Sequence, residues 1–293
     1  NNLSEELKSH LIIDASRTTH FFWHIYSRMN WGEPWYGSFR ESQTEYRFKN
    51  QAYFKRNFMP GMLGWFKMTS ETSVEDIEWL LAKSAAYDAG YAFVANLETI
   101  ENNRNSPEIL ELIGAWEKLR IQRAFSEEQK KVMLDSNKEF SLKEIDSNSW
   151  SLSHLNAKIF KHEHKTKQPG EPLYSTFKFN NIGKEQAFSF IITAVDSDIS
   201  SITLEINNYK KIKLAVVLKK GQKIKYALGN KATVYDANWK YIKEFNVDFS
   251  DFTLNRGENS LNVDCDFIQP DKKATVKFEI RTVEKQEKIV LNI

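Results

Sequence analysis

Apolar positions keep a helical spacing through much of the first half of this chain and alternate strictly in the second, with the change falling between residues 138 and 151. Residues 60–97, PGMLGWFKMTSETSVEDIEWLLAKSAAYDAGYAFVANL, organise the first half. Met62 to Met68 is a nearly continuous apolar run behind Pro60 and Gly61, which predicts a strand covered on both faces, as in a parallel sheet. Ser73 is placed to cap a helix, and Asp76, three residues on, resembles the reciprocal partner of a capping box. Ile77, Leu80, Leu81, Ser84, Ala85 and Asp88 follow at helical spacing, and Gly90 stands where a helix would stop. The apolar run 91–97 then predicts a second strand, parallel to the first through the helical crossover.

Around this β-α-β unit the pattern predicts one interrupted strand or two across residues 11–26, and a helix over 41–57. Ser106 and Pro107 open a further helix to about Phe125, and another runs from Ser126 to Met133. Residues 138–151 are polar and poor in apolar side chains, which places a domain boundary there, with one domain over 1–145 and another over 146–293. Beyond it Phe188, Phe190 and Ile192 alternate, as do Leu261, Val263, Cys265 and Phe267, and Val276, Phe278 and Ile280. About nine such runs, separated by turns such as KKGQ, LGNK and NRGEN, predict an antiparallel, jelly-roll-like β-sandwich of carbohydrate-module type. The fold class expected is therefore α+β and multidomain.

Composition narrows the partners. With 41 Lys plus Arg against 39 Asp plus Glu, no global field favours nucleic acid or an anionic membrane. No run of about 18 apolar residues predicts a transmembrane segment. The opening NNLSEELKSH has no basic-then-apolar leader, so the chain is expected to be cytoplasmic or to have lost its start. Cys265 is the single cysteine and forms no internal disulfide.

Candidate chemistry gathers in residues 30–47, where Gly32, Pro34 and Gly37 break regular structure. Trp31, Trp35 and Tyr36 offer ring faces for the C–H faces of sugars, while Glu33, Arg40, Glu41, Gln43, Glu45 and Arg47 can satisfy hydroxyls. The same rings could lid a core, and the same charges could form surface ion pairs. Glycoside hydrolysis needs two carboxyls about 5 to 9.5 Å apart. Glu33, in the aromatic loop, and Glu71, at the carboxyl end of the 62–68 strand, are the candidates, with Asp14 third; each could instead be a solvated acid. Trp65, on that strand, joins the substrate-binding set. His162, Glu163 and His164 lack a third placed ligand for a metal, and His20 and His24 read as satisfied core histidines. No phosphate loop, cysteine pair or GxSxG elbow occurs, and no cofactor is expected.

The loop WGEPWYGSFRESQTEYR, the strand MLGWF, the passage DIEWLLAKSAAYDAGYAF and the following alternating half resemble the closing portion of a TIM-barrel glycoside hydrolase. The resemblance is to the large multidomain kind made by polysaccharide-degrading bacteria, and it covers roughly residues 11–293. It implies a partial (β/α) barrel, a carbohydrate substrate or ligand, and a periplasmic, cell-surface or secreted location. About 140 residues cannot build a barrel of ~250. The first half is thus either the end of a longer barrel, open at an edge through which copies could self-associate, or a smaller α/β domain. The alternative function is a non-catalytic carbohydrate-binding or scaffold protein.

Overall fold

The computed structural model describes residues 14–16, 28–30, 40, 44–57, 61–165, 169–268 and 274–291. The expected strands within 11–26 therefore lie largely outside the described residues. The chain divides into two compact units, residues 1–102 with 106–136 and 291–293, and residues 103–105 with 137–290. No helix among the described residues is long and apolar enough to cross a membrane.

In the first unit, β1 (Asp14–Ser16) runs parallel to β2 (Arg28–Asn30), and α1 (Thr44–Arg56) follows. Then come β3 (Met62–Lys67), α2 (Val74–Tyr87) and β4 (Gly90–Val94), with β3 and β4 paired in parallel. The expected β-α-β unit is present, because a parallel pair leaves no short way back and α2 supplies the crossover. Ser73 caps α2 by accepting the Asp76 N–H at 3.1 Å. The helix ends at Tyr87 rather than at Gly90: Asp88 takes the left-handed cap position, φ 49°. Gly90 instead donates its N–H to the Gly61 carbonyl at 2.9 Å, and a Cβ on Gly61 would stand 3.0 Å from that of Ala89. The glycines there serve close approach of the two strand starts. Leu63, Phe66, Trp79, Leu80 and Ala89 form the core between sheet and helix.

Three more helices follow among the described residues: α3 (Leu97–Asn102), α4 (Ser106–Ile121) and α5 (Glu127–Met133). A full capping box opens α5, Ser126 accepting from Gln129 N–H and the Gln129 side chain accepting from Ser126 N–H. The described strands close no barrel; they form two separate parallel pairs.

Among the described residues the regular structure of the second unit is all strand. It comprises β5 (Lys138–Asp146), β6 (Ser149–Glu163), β7 (Ser175–Asn181), β8 (Ser189–Ala194), β9 (Asp198–Ile206) and β10 (Lys210–Leu214). After these come β11 (Lys223–Tyr226), β12 (Lys231–Tyr235), β13 (Tyr241–Asn246), β14 (Gly257–Ile268) and β15 (Thr275–Val290). Residues 138–151, polar in composition, form β5 and the start of β6, because Phe140, Leu142, Trp150 and Leu152 alternate there and are buried. Two antiparallel sheets result, ordered β10-β9-β14-β7 and β13-β12-β11-β8-β15-β6-β5. Their facing residues, among them Phe190, Ile192, Leu204, Leu261, Val263 and Phe278, make one core in a sandwich-like arrangement.

Candidate functional site

The carboxyl end of β3 is where a parallel β-α-β unit offers a site. The chain leaves β3 through Met68, whose N–H bonds the Val94 carbonyl at 3.1 Å, and turns over residues 69–72. Thr69 and Thr72 lock that turn: Thr72 N–H donates to Thr69 O, and Thr69 N–H to Thr72 Oγ1 at 2.9 Å. Glu71 rides on the turn, its N–H 3.3 Å from Thr69 Oγ1 and its side chain exposed. Asp76, in the first turn of α2, does not close a capping box with Ser73. Its carboxylate accepts from Arg40 Nε at 2.6 Å, and the Arg40 guanidinium lies 5.8 Å from the centre of the Trp79 ring. The carboxylate thus sits where the helix dipole favours negative charge, and the arginine meets both an anion and a ring face.

Beneath this end lies a second arginine. Arg47 of α1 is 1% exposed and donates from Nη2 to the Trp65 carbonyl at 2.6 Å, its guanidinium 4.1 Å above Phe66. Burial lowers its pKa to about 10, still cationic at neutral pH. Gln51, also on α1, donates to the Met62 carbonyl at 2.8 Å, so two polar side chains tie the helix to the strand. Trp65 is half-buried against the buried pair Phe54 and Met62, as are Tyr53 and Ala92, and its indole N–H is enclosed with no hydrogen-bond partner among the described residues.

Of the candidate residues, then, Arg40 and Glu71 are at the surface around the strand end, Arg47 is internal and Trp65 is half-internal. Trp31, Glu33, Trp35, Tyr36, Glu41 and Gln43 lie outside the described residues, as do His20 and His24, and Asp14 falls on β1. Asp76, expected only as a capping partner, and Trp79 were not among the candidates. Lys83 was also missed: fully buried on α2, it donates to the carbonyls of Met133 at 2.6 Å and Asp135 at 2.5 Å.

In the second unit His162 is buried, its Nδ1 2.9 Å from Ser175 Oγ and its ring stacked on Phe267, while His164 meets Phe267 edge-on. Among the described residues no group of three or more His, Cys, Asp or Glu could hold a metal ion. Cys265 is a buried free thiol, pushed up to about 12 by burial and by Asp264 and Asp266.

No protein-family model matches this chain, and no curated protein is significantly similar to it. Among solved structures, Arthrobacter globiformis T6 isomalto-dextranase complexed with panose aligns at 12% identity, with a TM-score of 0.18. The alignment covers 76% of this chain and 50% of that one, so this chain spans about half that enzyme's length. That neighbour is a carbohydrate-active enzyme, and a likeness this slight carries no argument about fold or activity.

Proposed function

We propose that the chain is a glycoside hydrolase-like protein acting on a polysaccharide or oligosaccharide, met in the periplasm, at the cell surface or outside the cell. In this reading Glu33 and Glu71 are the two carboxyls. One protonates the glycosidic oxygen, and the other attacks the sugar or activates water. Trp31, Trp35 and Tyr36 stack on sugar rings, and Arg40, Glu41 and Gln43 hold hydroxyls. Arg47 and Trp65 act from below, holding α1 on β3. The observation that carries the reading is the Arg40–Asp76 pair. It sets Arg40, which follows the ring-rich residues in sequence, against the first turn of the helix that comes after Glu71.

Glu33→Gln and Glu71→Gln should each lower turnover by about 100-fold or more on the polysaccharide that the unaltered chain cleaves. Unchanged turnover in either variant removes that residue from the chemistry. A binding-only protein is the second reading, favoured by the exposure of Glu71. A general acid at neutral pH needs desolvation to raise its pKa. Retention on insoluble glycan without release of sugar would establish that alternative.

A further inference from the structure

Between Glu205 and Asp236 the chain has eight lysines and no acidic residue, although its overall charge is only +2. Four of the eight are engaged. Lys223 is buried and donates to the Ala237 carbonyl at 2.8 Å, Lys225 lies 5.9 Å from the Trp239 ring, Lys231 pairs with Glu244, and Lys210 reaches the Asp251 carbonyl. The other four, Lys211, Lys213, Lys219 and Lys220, are exposed. The ion pairs of this unit engage Lys138, Lys178, Lys231, Lys277 and Lys285, and among the described residues none involves these four.

All four follow one edge. β10 is the outer strand of the four-stranded sheet, and the Ile199–Leu218 bridge continues that edge beyond it. Tyr209, Lys211, Lys213, Ala215, Val217 and Lys219 alternate as its exposed side, and Leu214, Val216 and Leu218 face inward. Two carboxylates border the strip. Glu205 lies across the ladder from Lys211, and Asp198 accepts the Lys220 backbone N–H at 2.7 Å. Lysine on an edge strand guards against pairing with another chain. That role accounts for Lys211 and Lys213, but Lys219 and Lys220 lie past the strand.

We infer that this edge binds an acidic polysaccharide, one carrying carboxylate or sulfate groups along its length; the inference rests on the carbohydrate reading above and narrows its ligand class. Lys211 and Lys213 stand about 7 Å apart on one side of β10, and Lys219 and Lys220 add two more charges farther along the same edge, a run of cations suited to a linear polyanion. Single-stranded nucleic acid would call for rings interleaved with the charges, and Tyr209 at one end is the only ring of the strip.

The test is affinity electrophoresis of the full chain in gels containing polygalacturonate, neutral dextran or single-stranded DNA. Polygalacturonate should retard the protein at low salt and cease to do so at about 0.5 M salt, while dextran should not retard it. Lys211→Gln/Lys213→Gln/Lys219→Gln/Lys220→Gln should bind polygalacturonate roughly tenfold more weakly with an unchanged circular dichroism spectrum. The control Lys178→Gln/Lys243→Gln should bind as the parent does. Equal retardation by dextran, unchanged affinity of the fourfold variant, or tighter binding to DNA overturns the inference. So does a fourfold variant that oligomerises while keeping its affinity, since the lysines would then serve edge protection. Lysine-independent binding to dextran would sink this inference and leave the carbohydrate reading standing. Lysine-dependent binding to polygalacturonate with no turnover would do the reverse to the catalytic assignment.

Discussion

Glu279 sits between two cations, Lys277 Nζ at 2.6 Å and Arg281 Nη2 at 3.0 Å, and Arg281 turns its Nε to Glu139 at 2.6 Å. Burial alone would raise the Glu279 pKa, but Arg281 and Lys277 outweigh it and hold the carboxyl below its ordinary 4.5. A folded-state pKa below the unfolded one contributes stability that is present above the unfolded value and lost as pH falls through the folded one. The urea midpoint should therefore drop as pH is lowered from about 5 to about 3, and Glu279→Gln should flatten that slope while costing about 3 kcal/mol at pH 7. A midpoint with the same acid slope in parent and variant would refute the assignment. The sequence shows why this network went unseen. Val276, Phe278 and Ile280 alternate, and nothing local distinguishes the residues between them from a solvated face, whereas Glu279 and Arg281 are 9% and 6% exposed. Alternation reveals that one face of a strand is covered; it is silent on whether polar residues on the other face are covered too. Asn259 makes the same point, since nothing local announces that it bonds Asn207, Asn255 and Gly257 while 1% exposed.

At the scale of elements, the β-α-β unit was legible because its signals are local: an apolar run, a capping serine, a helical period and a return strand. Ser73→Ala should cost about 1 kcal/mol, read as a lower urea midpoint with an unchanged m-value. An unaltered midpoint would mean that the cap is dispensable. What local signals could not give was the destination of Asp76. Its partner Arg40 lies 36 residues away, and only the folded chain brings them together. The same holds for the order within residues 138–151. Residues 138–151 are polar on average, yet Phe140, Leu142 and Trp150 occupy alternate inward positions. A strand needs its buried side chains at the right parity more than in large number.

For the whole molecule, the helices among the described residues end at Met133 and the long strands begin at Lys138, so the change of period read from the sequence has a structural counterpart. Most of the candidate site lies outside the described residues, and the pairing that is described, Arg40 with Asp76, depends on a contact distant in sequence that no local pattern announces. Cys265, in the core of the second unit, makes that unit's integrity measurable. Burial and an elevated thiol pKa leave little thiolate to react, so a thiol reagent should label it only as fast as the strands unfold. Rapid stoichiometric labelling in native buffer would contradict its burial. The sheet orders carry a consequence for biosynthesis. β14 lies between β9 and β7, and β15 between β8 and β6, so each sheet is completed by one of the last two strands in chain order. A chain growing on the ribosome holds β10-β9 apart from β7, and β13-β12-β11-β8 apart from β6-β5, until residues 257–290 emerge. From the completion of β9 at Ile206 until β14 begins at Gly257 the nascent second unit therefore carries four unpaired inner edges, the stage when chaperones would be needed most.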